Sequence, residues 1–208
     1  MDGLLRGGYR TGRIVEFLGR SGTGKTQFAM QAALCASRQG VRSLFVDTEG
    51  SFRPERIRQM AEARGWSSVG VLESIVYLRT DSFAEQMEVV SKMKMKDATS
   101  GCSLVVVDTL TKNFTLGLPG RSNMGERQGV LRKYLSEIAR DAFLNERAYL
   151  LTNRVTFGAL NDVAIGGLTV QQMVHESVLL EKGRGIVRAT SQSRGESVSV
   201  SLSVSGAS

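Results

Sequence analysis

The chain has 208 residues, of which 41% are apolar and 23% charged, the proportions of one globular domain with a full core. No run of about 18 apolar residues is present to span a membrane, and the first residues, Met1-Asp2-Gly3-Leu4-Leu5-Arg6, lack the apolar core of a signal peptide, so a cytoplasmic location is expected. The net charge of +7 is compatible with nucleic acid without demonstrating it; the surplus is N-terminal, where residues 1–60 hold ten basic and five acidic side chains.

In chain order, apolar strands alternate with helical segments, which predicts an α/β fold with a mostly parallel sheet. Arg13–Leu18 reads as a first strand and Lys25–Ser37 as a helix burying Phe28, Ala29, Ala32, Ala33 and Ala36. Ser43–Asp47 is a second strand, and Pro54 suits the first turn of a helix reaching about Arg64, since its missing N–H has no helical partner there. Ile75–Leu78 is a short strand. Asp81 or Ser82 caps a helix through about Lys96, with Phe83, Met87, Val90 and Met93 spaced for one buried face. Leu104–Val107 has the continuous apolar character of a central parallel strand. Glu126–Asn145 is a long amphipathic helix and Tyr149–Thr152 another strand. Ser177–Glu181, Ile186–Ala189 and Val198–Leu202 alternate like antiparallel strands, and Val204–Ser208 is expected to fray.

Two stretches read as irregular, Thr115–Gly125 with Gly117, Pro119, Gly120 and Gly125, and Thr156–Leu168 with Gly158, Asn161, Asp162, Gly166 and Gly167. Loops of such length inside a domain are usually functional or mobile. Cys35 and Cys102 each lie in an apolar stretch and read as thiols of the interior rather than a disulfide. His175, the single histidine, argues against a His-based metal site and reads as structural; Trp66 reads as packing at a helix end.

The motif that carries chemistry is Gly19-Arg20-Ser21-Gly22-Thr23-Gly24-Lys25-Thr26, which fits G-x-x-x-x-G-K-[ST] between a strand and a helix. Its glycines let backbone N–H groups wrap a phosphate, and the helix N-terminus adds partial positive charge. Lys25 would reach the β- and γ-phosphates of ATP and the Thr26 hydroxyl would bind Mg²⁺. Asp108 ends the strand 104–107, at the sheet edge from which an acid points at that metal. Glu49 ends the second strand at the same edge, where a carboxylate can orient and deprotonate the attacking water.

The segment Asp47-Thr48-Glu49-Gly50-Ser51-Phe52-Arg53-Pro54-Glu55-Arg56-Ile57 resembles the signature after the second core strand of archaeal RadA and its eukaryotic recombinase relatives. Leu4-Leu5-Arg6-Gly7-Gly8 with Gly12 resembles that family's approach to the ATPase core, Gly24-Lys25-Thr26-Gln27 its phosphate loop, and Leu151-Thr152-Asn153-Arg154-Val155 the opening of its second DNA-binding loop. The resemblance implies a single RecA-like core over 1–208, with Gly19 to Gln27 on the nucleotide, Glu49 as catalytic carboxylate, Arg56 against the adenine, and loops near 115–128 and 154–170 facing DNA. Residue 154 would sense the γ-phosphate. The family usually has Gln there; Arg154 is longer and cationic, able to meet phosphate or DNA.

A chain beginning at the core resembles the RadB-type paralogue, an accessory factor without the helical DNA-binding domain and polymerisation segment of full recombinases. The expected function is therefore an ATP-binding, DNA-binding mediator of homologous recombination with slow hydrolysis. Single-stranded DNA, a full-length RadA-type recombinase and further copies of the chain are the expected partners. The alternatives are an active strand-exchange recombinase, or a KaiC-like or DnaB-like ATPase acting on protein. Arg121, Arg127 and Arg154 are the candidate DNA contacts, with Gly166 and Gly167 in the second loop and Arg184, Arg188 and Arg194 as weaker candidates. Phe114 and Phe157 are available either to stack on bases or to pack inward.

Overall fold

The computed structural model describes residues 4–5, 7–93, 101–120, 122–157, 162–183, 186–203 and 206–207. In chain order it forms β1 (Ile14–Gly19), α1 (Lys25–Arg38), β2 (Arg42–Asp47), α2 (Pro54–Glu62), α3 (Ser68–Glu73), β3 (Ile75–Arg79) and α4 (Phe83–Met93). It continues with β4 (Cys102–Asp108), α5 (Lys112–Gly117), α6 (Met124–Leu144), β5 (Ala148–Phe157), β6 (Asp162–Ala164) and α7 (Gly167–Gln171). The chain closes with β7 (Glu176–Gly183), β8 (Ile186–Ser191), β9 (Ser197–Ser203) and β10 (Gly206–Ala207).

One sheet runs β10-β9-β8-β7-β1-β5-β4-β2-β3, with β6 paired on the end of β5. Strands β7, β1, β5, β4, β2 and β3 are parallel neighbours, and β8, β9 and β10 add on in antiparallel fashion. This is the mostly parallel sheet with an antiparallel C-terminal addition that the residue pattern predicts. Successive side chains on a strand point to opposite faces, so β2 and β4 each serve two cores. Phe45 and Val106 join Phe28, Ile57, Met60 and Val71 of α1 to α3 on one face. Leu44, Val46, Val105 and Val107 join Val90, Met93, Leu131, Tyr134 and Ile138 of α4 and α6 on the other. Coverage of both faces is why 104–107 reads as an unbroken apolar run.

Several predicted elements differ in detail, each for a tertiary reason. In α4 the buried face is Gln86, Val89, Val90 and Met93, with Phe83 and Met87 at its border. The face turns because Gln86 is drawn inward, where its Nε2 donates to the Leu110 carbonyl at 3.0 Å. Ser82, not Asp81, supplies the cap: its hydroxyl accepts the Glu85 N–H at 3.2 Å, while Glu85 accepts the Asp81 N–H at 2.9 Å. The expected end near Lys96 lies outside the described residues. Helix α3 has no strong local signal. The expected loop at 115–128 shrinks to 118–123, since α5 reaches Gly117 and α6 begins at Met124. The stretch 154–170 is not simply a loop: β5 runs on to Phe157, β6 returns along it with Val155 opposite Ala164, and α7 follows. Residues 158–161 and most of the expected frayed tail lie outside the described residues.

His175 is structural in the described way. Its Nδ1 accepts the Ile14 N–H at 3.0 Å, and its own N–H donates to the Ile14 carbonyl, tying β1 to the approach to β7. Trp66 packs against the core beside α1 with Arg38 and Arg64 over its ring. Cys102 is buried and Cys35 only half-buried, and neither is in a disulfide.

Candidate nucleotide site

Strand β1 ends at Gly19, and the chain turns from it through the phosphate loop into α1. Glycine is needed at 19 because β7 passes so close: a Cβ there would lie 2.6 Å from the Leu180 carbonyl oxygen and 2.7 Å from Thr23 Oγ1. Gly24, at φ 94°, sets the loop's last corner, and no side chain caps α1. The first N–H groups of this 14-residue helix therefore face the loop with no acid in the first turn, the arrangement that favours an anion. Lys25 arches back over the loop, its ammonium donating to the carbonyls of Gly19 and Arg20, both at 2.8 Å. Burial lowers the Lys25 pKa and the Arg154 charge lowers it further, while Asp108 and Glu49 oppose that shift. Thr23 fixes the loop through a 2.9 Å bond to the Arg20 carbonyl. Arg20, Ser21, Gly22 and Thr23 border a cavity of about 450 Å³ that extends toward Lys182 of β7.

Asp108, at the end of β4, meets this loop. Its Oδ2 accepts the Thr26 hydroxyl at 2.8 Å and the Ser51 hydroxyl at 2.8 Å. Its Oδ1 accepts the Thr152 hydroxyl of β5, and the Asp108–Thr109 peptide is cis. Burial pushes the Asp108 carboxyl up; the bonds from Thr152, Ser51 and Thr26 oppose that, and Glu49's charge adds to it. One hydroxyl and one carboxylate side by side are hard oxygen donors, the set that holds Mg²⁺ beside a substrate phosphate. The loop amides, Lys25 and this pair together fit Mg²⁺–ATP. Among the described residues no group of three or more His, Cys, Asp or Glu side chains forms an all-protein metal cage.

Glu49 is positioned by Asp47, which the sequence reading passed over. The Asp47 side chain is 0% exposed. Its Oδ1 accepts the N–H groups of Glu49, Gly50 and Ser51 at 2.9, 2.8 and 3.2 Å, and its Oδ2 accepts that of Phe52 at 3.0 Å. Tyr77 and Arg79 of β3 back the same carboxylate. The segment 48–52 thus folds around one anion and delivers the Glu49 carboxylate to the sheet edge. There Arg154 meets it: a single Nη2 donates to both Glu49 oxygens, at 2.6 and 2.7 Å. Arg154 lies on the candidate base rather than on the outward face of the second loop. Arg56 sits against the start of α1, with its Nε donating to Gln27 Oε1 at 2.9 Å, so these two candidate nucleotide residues share one edge of the site.

Behind Arg154, Asn153 ties the site to the second loop. Its Oδ1 accepts the Thr111 hydroxyl and the Arg154 N–H; its Nδ2 donates to Glu16 and to the Ile165 carbonyl, both at 2.8 Å. Glu16, buried in the middle of β1, is a second residue the sequence reading passed over. Burial raises its pKa, against hydrogen bonds from Asn153 and Ser177. An acid inside an otherwise apolar strand is the available signal for Glu16. For Asp47 the signal is an acid three residues before a glycine, Gly50, the position of an Asx-type loop anchor.

The candidate DNA contacts are dispersed. Arg127 donates to the Leu118 carbonyl at 2.9 Å and so closes the 118–123 loop. Arg121 and Arg184 lie outside the described residues, as does the Phe157 side chain. Phe114 is fully buried against Phe83 and Tyr134, which removes it from any base-stacking role. Arg194 pairs with Glu176 and Glu196, while Arg188 lies exposed on β8. Gly167 is open to its surroundings, whereas Gly166 is packed: a Cβ would lie 2.6 Å from Val170 Cγ2 and 2.9 Å from Leu131 Cδ2, at φ +91°. Gly166→Ala should accordingly destabilise the fold by about 2 kcal/mol, read as a lower urea midpoint. An unchanged midpoint would show that the glycine's packing against α6 carries no weight.

The Rad51 family pattern matches residues 1–198. Among curated proteins, the "DNA repair and recombination protein RadA" of Metallosphaera sedula is 35% identical over 199 residues, covering 89% of this chain and 61% of the relative. The chain thus spans about three fifths of the length of that relative. The mostly parallel sheet, the phosphate loop after β1 and the acid ending β4 agree with that match, and the chain belongs to the Rad51 family.

Proposed function

We propose that this chain is an ATP-binding, DNA-binding accessory protein of homologous recombination and DNA repair, of the RadB type, with slow ATP hydrolysis. The observation that carries the reading is the Arg154–Glu49 pair. With both of its oxygens accepting from one guanidinium, Glu49 must give up that ion pair before it can orient and deprotonate the attacking water, a cost that slows hydrolysis. The loop N–H groups from Gly19 to Thr26 and the Lys25 ammonium would hold the phosphates, and Thr26 and Asp108 would hold Mg²⁺. Arg20, Ser21, Gly22 and Thr23 would shape the loop, while Arg56 with Gln27 would border the adenine. Bound Mg²⁺ supplies charge neutralisation at the phosphoryl oxygens. The segments near 115–128 and 154–170 would face single-stranded DNA, with Arg121 and Arg127 at phosphates and Gly166 and Gly167 in the second. A RadA-type recombinase and further copies of this chain are the proposed protein partners, and residues 1–208 would act as one core domain.

A second reading, an active strand-exchange recombinase, is favoured by the likeness to a protein named for repair and recombination. Steady-state hydrolysis with and without single-stranded DNA separates the two. The accessory reading expects slow turnover changed less than about threefold by DNA, with DNA binding that weakens as salt rises. Stimulation of roughly tenfold or more would overturn it in favour of the recombinase. Absence of any salt-sensitive DNA binding would overturn both.

A further inference from the structure

The carboxylates withdrawn from solvent have cations beside them, with one exception. Asp47 has Arg79 at 3.6 Å, Asp141 has Arg147 at 3.3 Å and Glu176 has Arg194 at 2.7 Å, while Asp108 interacts with the charge of Lys25. Glu16, 1% exposed, has no arginine or lysine partner among the described residues. Its two oxygens accept only from neutral groups, Asn153 Nδ2 at 2.8 Å and Ser177 Oγ at 2.9 Å. A buried charge without a counter-ion is costly, and burial holds this carboxyl above its ordinary range despite those two bonds.

Glu16 is also the one of these acids that a cavity reaches without a cation in place. Val15 and Phe17 pack on the α1 side of β1, so Glu16 faces the opposite side. There a cavity of about 480 Å³ opens beside it, a volume in the range of small-ligand sites. Leu18, Val155, Leu168 and Leu179 give it aliphatic walls, and Leu168 is 71% exposed, so that side opens to solvent. Glu176 borders the cavity too, but Arg194 already meets its charge. Each Glu16 oxygen keeps a second acceptor site. A lone carboxylate is too small a donor set for a metal ion, and no group of three or more His, Cys, Asp or Glu is found among the described residues. Aliphatic walls around a single carboxylate instead suit a methylene stem that carries a charged head.

We propose that this cavity is a binding site for an organic cation, a primary ammonium or guanidinium on an aliphatic stem, with Glu16 as its counter-ion. A free polyamine and a basic side chain of another protein present the same head and stem. An occupant would bear on the second loop, because Asn153 Nδ2 donates both to Glu16 and to the Ile165 carbonyl, and Ala164 and Gly167 border the same cavity. No nucleotide enters this site, so its test stands apart from that of the ATP reading.

Calorimetric titration of the whole chain with putrescine, at constant ionic strength, tests the proposal. Saturable binding is expected, with none for butanol or potassium chloride, and Glu16→Gln should weaken it by about tenfold or more, the weight of a charge-assisted bond. A blocked lysine amide serves as the second probe: tighter binding than putrescine assigns the site to a protein side chain, weaker binding to a free amine. Absence of saturable binding of either amine by the wild-type chain overturns the proposal. Undiminished binding in folded Glu16→Gln overturns it too, as does butanol binding as well as putrescine, since the cavity would then be merely apolar. Should Glu16→Gln not fold, the carboxyl carbon resonance of Glu16 in the wild-type chain decides. It should shift as putrescine saturates, and a resonance that stays in place overturns the site.

Discussion

Lys25→Ala is expected to lower ATP hydrolysis by about a hundredfold or more, the loss that follows removal of one preorganised donor to developing charge. Lys25 is the ammonium built into the loop itself, and among the described residues it donates to the carbonyls of Gly19 and Arg20. A phosphate would replace those weak acceptors with full negative charge. Alanine removes the charge and leaves the buried Gly19 carbonyl without that donor, so stability should also fall, by about 1–3 kcal/mol. Arg154 cannot substitute, because its guanidinium is occupied by Glu49. Phosphate release measured on both proteins decides the matter. A variant that keeps more than roughly a tenth of wild-type turnover would place the chemistry outside the phosphate loop.

Asp47→Ala should have the largest effect on stability, a loss of about 3–5 kcal/mol. Four backbone N–H groups, those of Glu49, Gly50, Ser51 and Phe52, converge on a carboxylate that solvent does not reach. A buried donor left without an acceptor costs about 1–3 kcal/mol, so even partial rescue by water leaves a large deficit. Asp47→Asn should fall between. Its oxygen still serves Glu49, Gly50 and Ser51, but its amide nitrogen faces the Phe52 N–H, donor against donor. Urea unfolding gives the order directly, as midpoints that fall from wild type to Asn to Ala at an unchanged denaturant slope. If Asp47→Ala lies within about 1 kcal/mol of wild type, the 48–52 segment does not depend on its anion. Turnover should fall with stability here, because the same turn presents Glu49.

Lys25 and Asp47 differ in how plainly the sequence marks them. Lys25 was legible in the sequence because everything that defines it is local. A strand, five loop residues, a lysine and a helix start lie within 13 positions, Ile14 to Thr26, and backbone geometry over that span leaves little choice. The Asp47 anchor is equally local, within five residues, yet its signature is one acid before a glycine turn, a pattern shared by many surface loops. The stretch Thr156–Leu168 reads as irregular in the sequence because Gly166 and Gly167 mark irregular backbone wherever they occur. What turns 162–171 into a strand and a short helix is contact with the far end of β5 and with Leu131 of α6.

By itself, the sequence determined the strand–loop–helix that cradles phosphate, the acid ending β4, the alternation that makes an α/β sheet and the two-faced burial of its central strands. All of these rest on periodicity and backbone chemistry within a few turns of chain. Only the tertiary structure decided which groups meet. Sheet order sets β4 between β2 and β5, which brings Thr152 to Asp108 and lets Arg154 reach Glu49, 105 residues away. It decided that Phe114 and Gln86 turn inward, because a packed interior and the Leu110 carbonyl were there to receive them. Charge and hydropathy along a chain specify which faces must be buried; which side chains pair across strands follows from strand order and register, and those are fixed only when the helices have packed on both faces.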